Sequence, residues 1–305
     1  MSSTSSSSSS RSYQPVIVAP VPLLGCHLVF GARVGTDPRP ALARLRTLLS
    51  PESAIVGLGQ PLVLALGAKV PGLRAFPALC GPGIAFPSTQ GWLWIFLIGS
   101  DAGDLHDRAR AVRAAVCEPG GGFSLRDEAA TFQYRKGRDL TGFEDGTENP
   151  KDERALAAAI VSGRGDALDG SSFAAIQRYV HDLDGFGRLS SAAKEAVIGR
   201  SLETNEELAD AHASVHVKRT AQESFDPEAF IVRRAMPWGG ATESGSYFVA
   251  YGESLDRFER LLTRMAGLED GIVDALLGIS RPVSGGYYWC PPTRDGRLHL
   301  AALGL

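Results

Sequence analysis

The sequence predicts an α+β protein of two layered halves, each an antiparallel sheet covered on one face by helices. Two observations carry this. Short apolar runs of strand type are interspersed with amphipathic helical stretches, and the same order recurs beyond residue 170. Size agrees: 305 residues, 44% apolar and 21% charged, suit two cores better than one. No residue-level repeat accompanies the recurrence, so the duplication is one of architecture.

Taken in order, "CHLVFGARV" (26–34) reads as a strand and "TDPRPALARLRTLLS" as a helix, with Leu42, Leu45, Leu48 and Leu49 on one face and Pro38 near its start. Extended chain follows in "AIVGLG" or "PLVLALG". "WLWIFLIG" (92–99) is a continuous apolar run suited to a strand buried on both faces. "SDAGDLHDRARAVRAAV" places Leu105, Ala109, Val112 and Val116 at helical spacing, and "FSLRDEAATFQYRKG" closes the half as an edge segment. In the second half "SSFAAIQRYVHDL" reads as a strand, "SSAAKEAVIG" as a helix, and "AFIVRRAM" and "SYFVAY" as strands. "SLDRFERLLTRMAG" is an amphipathic helix ending at Gly267, with Leu255, Phe258, Leu261, Leu262 and Met265 in one stripe.

Composition excludes several classes. A net charge of −3 gives no electrostatic footprint for nucleic acid or an anionic membrane. Cys26, Cys80, Cys117 and Cys290 lie far apart with no CxxC pair, so buried free thiols in a reducing compartment are expected. Residues 1–14 hold a serine tract expected to be disordered, followed by halves at 15–140 and 141–305. No basic region leads the proline-broken "VIVAPVPLLG", and no run approaches the roughly 20 apolar residues of a membrane span. A cytoplasmic location is expected.

The junction between the halves carries "TGFEDGTENP" (141–150), with three carboxylates, Glu144, Asp145 and Glu148, in ten residues. Asp-Gly and Asn-Pro make it a turn, and clefts between such halves are common ligand sites. Among six histidines the close pair is His212 and His216. Their spacing would put both on one helix face, but no HExxH glutamate or third ligand accompanies them, whereas one imidazole suffices as an axial iron ligand. In "IVRRAMPWGG" neighbouring side chains point oppositely, so only one of Arg233 and Arg234 can face a site while the other meets solvent; Arg233 shares its side with Ile231 and there needs an anion or polar partner.

Together these segments resemble the dye-decolourising peroxidase family. "GFEDG" (142–146) is similar to its Gly-x-x-Asp-Gly signature, extended by "TENP". "AVIGRSLETNEEL…SVHV" resembles the approach to the proximal histidine, "IVRRAMPWG" the distal-arginine segment, and "SYFVAY" and "RPVSGGYYW" extend the likeness, which covers nearly everything from about residue 15. The resemblance implies two ferredoxin-like domains, with haem b in the C-terminal half near the junction. It assigns Asp145 as distal acid/base, Arg233 as distal cation and propionate contact, His216 as iron ligand, and Asp274, ahead of Glu269 and Asp270, as the carboxylate behind His216. Arg200, Gly146 and Thr147 are its further cofactor contacts, with Gly142 and Gly146 letting the backbone pass close to the macrocycle. Ala235 departs from family members that carry a polar residue there.

The activity so implied is hydrogen-peroxide-dependent oxidation of phenolic or dye-like donors. The alternative is a haem-binding or haem-trafficking protein with incidental peroxidase activity. Trp238, Tyr247, Tyr251, Tyr287, Tyr288 and Trp289 are available to relay electrons to the surface. A homo-oligomer is expected, and the ending "RLHLAALGL" is either a tail for an encapsulating shell protein or a frayed terminus.

Overall fold

The computed structural model describes residues 11–305. Its first half runs β1 (Leu24–Ala32), α1 (Arg39–Leu48), β2 (Ala54–Leu58), α2 (Gln60–Ala65), the small hairpin β3 (Leu79–Gly81) and β4 (Ile84–Phe86), β5 (Leu93–Gly99), α3 (Ala102–Cys117) and β6 (Phe123–Phe132). The second runs α4 (Asp152–Ala159), β7 (Ser172–His181), α5 (Leu183–Gly187), α6 (Ser191–Ile198), α7 (His216–Arg219), β8 (Val232–Gly239), β9 (Ser244–Gly252), α8 (Asp256–Met265), β10 (Ser280–Pro282) and β11 (Gly286–Cys290). The hairpin β12 (Thr293–Arg294) and β13 (Arg297–Leu298) closes the chain.

The α+β architecture is as expected, with one addition. The halves share a nine-stranded sheet in the order β6-β1-β5-β2-β11-β7-β9-β8, with β10 on β7. Every pairing in it is antiparallel, and the halves meet at the single pair Trp289–Leu58.

Alternation along the strands sorts the core into two layers. Leu28, Phe30, Val56, Leu58, Leu93, Ile95 and Leu97 face the helices, packing with Leu42, Leu45, Leu105, Val112 and Val116. The intervening Val29, Ile55, Trp94 and Phe96 cluster instead with Ala174, Ile176, Val232, Tyr247, Val249, Tyr251 and Tyr288 of the other half. The helix-free faces of the two half-sheets therefore bury one another, which is why the strands read as continuous apolar runs.

Several expectations are corrected. "PLVLALG" is largely helix, and Leu48 stands 45% exposed because it has turned off the buried face of α1. The tail becomes ordered before residue 15: Gln14 is fully buried, its amide donating to Val56 O and Pro291 O and accepting from Val56 N–H. The rest of the serine tract, 1–10, lies outside the described residues. Leu298, Leu300 and Leu303 join the main core, so the C-terminal segment is packed and not frayed. All four cysteines are free as expected, but Cys80 is exposed and Cys117 only half-buried. Among the described residues no helix is long and apolar enough to cross a membrane.

Candidate active site

The site is built from a hairpin at the junction. Arg138 pairs with Glu144 in an isolated antiparallel bridge, flanked by Asp139 N–H donating to Phe143 O (2.9 Å) and Asp145 N–H donating to Gly137 O (3.1 Å). Gly142 turns the chain at φ 94°, a left-handed conformation that favours glycine. A Cβ there would meet only Leu202, so the glycine serves the bend and not a close approach. Gly146 likewise has φ 70°. Alternation then puts Arg138 and Glu144 on one face, 3.1 Å apart, and Asp139, Phe143 and Asp145 on the other.

That second face lines a cavity of about 1010 Å³ of empty space, its open mouth included. Strand β8 contributes Arg233 and Ala235, β9 Ser246 and Phe248, β7 Gln177, Tyr179 and His181, and α7 His216; α8 adds Phe258, Leu261 and Met265. Asp145, Arg233 and His216, far apart in sequence, thus share one cavity.

Asn149 of "TENP" ties the loop to the sheet. Its side chain donates to Arg233 O and accepts from Arg233 N–H, both at 2.7 Å, imitating a strand neighbour and fixing the height of Arg233 beside Asp145. In the sequence Asn149 stands as a turn residue before proline within the extended signature, with no role of its own. Arg234, on the opposite face, does not meet solvent: it is 5% exposed and donates to Val16 O (2.7 Å) and to Ala19 O. The reason is the same packing of sheet on sheet, which leaves neither face of β8 wet.

Below Arg233 stands His216, the first residue of α7, whose Nδ1 lies 2.8 Å from Oδ2 of the fully buried Asp274. The other oxygen of Asp274 accepts from Leu276 N–H at 2.9 Å. With Nδ1 engaged, Nε2 is the free ring nitrogen. His212 stands outside α7 with Nδ1 bonded to Ser214, and no group of three or more metal-ligating side chains occurs among the described residues. Glu269 and Asp270 are committed to Arg264 and Arg219. Arg200 does not line the cavity: Glu148, Glu207 and Asn205 O hold its guanidinium, so a cofactor contact would require those bonds to break. Thr147 is exposed away from the cavity, and Gly146 lines a smaller one alongside.

Asp145 exposes much of its surface, but to the cavity; the surrounding protein still desolvates it and raises its pKa, opposed by Arg233, the Gly146 N–H and His216. Burial lowers the pKa of Arg233, against the carboxylates of Asp145 and Glu148. Its guanidinium remains charged. Burial also brings His181 down to about 4, a neutral imidazole in the cavity wall. Among the described residues, Arg233 Nε, His181 Nδ1, Gln177 Nε2 and Ser246 Oγ are buried without hydrogen-bond partners. Four orphaned polar atoms around one apolar-floored cavity are the mark of a site shaped for a polar-edged ligand.

The family model for the C-terminal part of Dyp-type peroxidases matches residues 136–295, the segment that holds this whole cavity. The chain belongs to the dye-decolourising peroxidase family. The dye-decolorizing peroxidase of Mycolicibacterium paratuberculosis is 33% identical over 251 residues, 78% of this chain and 69% of that protein. The one from Rhodococcus erythropolis is 34% identical over 248 residues, 78% and 72% of the two chains. Among solved structures, a dye-decolorizing protein from V. cholerae superposes with TM-score 0.83 at 27% identity, covering 95% of this chain and 98% of its own. A DypB variant from Rhodococcus jostii RHA1 in complex with heme gives 0.83 at 28%, covering 92% and 96%. The peroxidase fold thus extends over both halves of the chain.

All six aromatics considered as electron relays are buried, between 0% and 5% exposed, so none presents a ring at the surface. Tyr247 and Tyr288 line a separate cavity on the other sheet face.

Proposed function

We propose that this peroxidase holds haem b in the cavity between Asp145, Arg233 and His216 and uses hydrogen peroxide to oxidise phenolic or dye-like donors. The observation that carries this reading is the convergence on one cavity of a carboxylate, a guanidinium and an imidazole whose outer nitrogen is already engaged by a buried carboxylate. The orphaned polar atoms and the apolar floor of Phe258, Leu261 and Met265 fit a flat, mostly apolar group with a polar edge. Bound there, haem supplies the iron that activates peroxide and the oxidising equivalents passed to the donor.

His216 would hold the iron through Nε2. Asp274, accepting from Nδ1–H, fixes that tautomer and makes the imidazole a stronger donor. Asp145 takes a proton from one peroxide oxygen and returns it to the departing one, which requires it to be ionised at the outset. Arg233 stabilises the negative charge that develops on the peroxide, and Asn149 holds it in place. Ala235 offers no side-chain hydrogen bond, so the distal work falls to these two charged groups. A haem carrier has no use for such a pair, which favours the enzyme.

Reconstitution with haem and rapid mixing with hydrogen peroxide test the reading. Wild type is expected to show a Soret band that changes rapidly on adding peroxide, Asp145→Ala and Arg233→Ala to bind haem yet respond slowly, and His216→Ala to bind weakly. Undiminished response in both distal variants would overturn the assignment.

A further inference from the structure

We propose that the smaller cavity beside the site is the route by which hydrogen peroxide reaches Asp145 and Arg233, with Ala235 at the doorway. The inference rests on the reading of the large cavity as the haem site. The small cavity has about 540 Å³ of empty space, against about 30 Å³ for a water molecule in the liquid, so a molecule of peroxide's size has ample room. Asp139, Asp145, Arg233 and Ala235 line both cavities, which therefore adjoin at the very groups that would handle peroxide. With haem in the large cavity, a second opening to those groups remains through the small one. Asp145 exposes much of its surface there, so water-sized molecules fit at the junction.

The strand and the hairpin explain the opening. β8 is the outer strand of its sheet, and its outward backbone groups have no strand partner. Asn149 takes those of Arg233, both at 2.7 Å, and closes the edge at that point. Two residues on, Ala235 points the same way as Arg233, so beside the arginine the strand sets only a methyl group at the junction. Across from it the chain supplies glycines: Gly137 and Gly146 line the small cavity at φ 100° and 70°. A Cβ at Gly137 would meet nothing within 4 Å, and one at Gly146 only the Asn149 side chain. Val21 of the N-terminal segment and Phe132, Gln133 and Tyr134 line the small cavity alone and are partly exposed, which makes them its outer rim.

The chemistry of the junction suits the traveller. Peroxide is small and neutral, with two O–H donors; Asp139 and Asp145 offer acceptors and the Arg233 guanidinium offers donors. The alanine that gives up a hydrogen bond at position 235 leaves the way to them clear.

Narrowing the rim and reading ligand entry without turnover tests this. Val21 lines the small cavity and not the large one, so a group attached there obstructs the route and leaves the iron's surroundings alone. Val21→Cys is loaded with haem and converted to a mixed disulfide by a bulky aryl disulfide reagent; wild type treated alike accounts for Cys80 and Cys117. Cyanide association, dissociation and equilibrium affinity are followed at the Soret band, and the peroxide response by rapid mixing. An obstructed route slows entry and exit alike. The expected result is cyanide association and dissociation both slowed about tenfold at unchanged affinity, a peroxide response slowed to match, and recovery when a thiol removes the label. Ala235→Leu, which sets three more carbons at the doorway, is expected to slow both cyanide rates as well. Unchanged cyanide rates in either protein, while Asp145→Ala still slows the peroxide response, overturn the inference alone. Slower association with an equal loss of affinity in the labelled protein overturns it too, because only the bound state has then changed. A chain that binds no haem removes the reading of the large cavity, and the inference with it.

Discussion

Asp274→Asn is a nearly isosteric change with a calculable consequence. In the wild type one oxygen accepts from His216 Nδ1 at 2.8 Å and the other from Leu276 N–H at 2.9 Å. Both partners are donors, and a carboxylate is acceptor-only. Asparagine has one acceptor and one NH2, so whichever way the amide faces, a donor meets a donor. If NH2 faces Leu276, a buried backbone N–H loses its partner, at a cost of about 1–3 kcal/mol. If NH2 faces His216, Nδ1 must become the acceptor and the proton moves to Nε2, the nitrogen needed for iron. Either outcome predicts haem affinity weakened about 10–100-fold, or about 1.4–2.7 kcal/mol. Titrating haem-free protein with haem at the Soret band measures the affinity, and urea denaturation of the haem-free chain separates the two orientations, because the first also lowers stability. Wild-type affinity, stability and iron reduction potential in Asp274→Asn would refute the reasoning.

Three further outcomes follow from the same geometry. Asp145→Asn should slow the reaction with peroxide about 10²–10⁴-fold in stopped flow while haem stays bound; a loss below tenfold would place the base elsewhere. His181, brought down to about 4 by burial, binds a proton in the unfolded chain that the folded chain refuses. Stability of the haem-free protein should thus fall as pH drops from about 6.5 towards about 4, and His181→Gln should flatten that slope in denaturation curves. Gly245→Ala would set a Cβ 2.0 Å from Tyr179 O, against backbone that cannot yield without opening the β7–β9 ladder. A loss of about 3 kcal/mol or more is expected, read as a lowered urea midpoint.

Helices α3 and α8 and the strands β1, β5, β7, β8 and β9 were legible because each buries a periodic face that is written locally. Helix α4 and strand β11 were not: "DERALAAA" begins without a side-chain cap, and "GYYWC" shows neither period. The continuity of the sheet rests on the single Leu58–Trp289 pair, a relation no local pattern carries. In the site, Asp145, Arg233, His216 and Asp274 were reachable through motif likeness. Asp139 and Asn149 escaped because their meaning depends on partners: Asn149 takes its role from a backbone 84 residues away. Arg234 was given to solvent on the assumption of a one-sided sheet, whereas it donates to the N-terminal segment.

The Leu58–Trp289 seam has a practical side. Every residue lining the large cavity lies between positions 139 and 280, while β2, which completes the sheet beside β11, comes from the other half. Cutting the chain just before Arg138 would leave two fragments, each ending in a strand with bare backbone donors and acceptors, and each the natural mate of the other. Fused to two proteins that meet, such fragments would regain colour on reassembly, a split pigment whose signal reports the encounter.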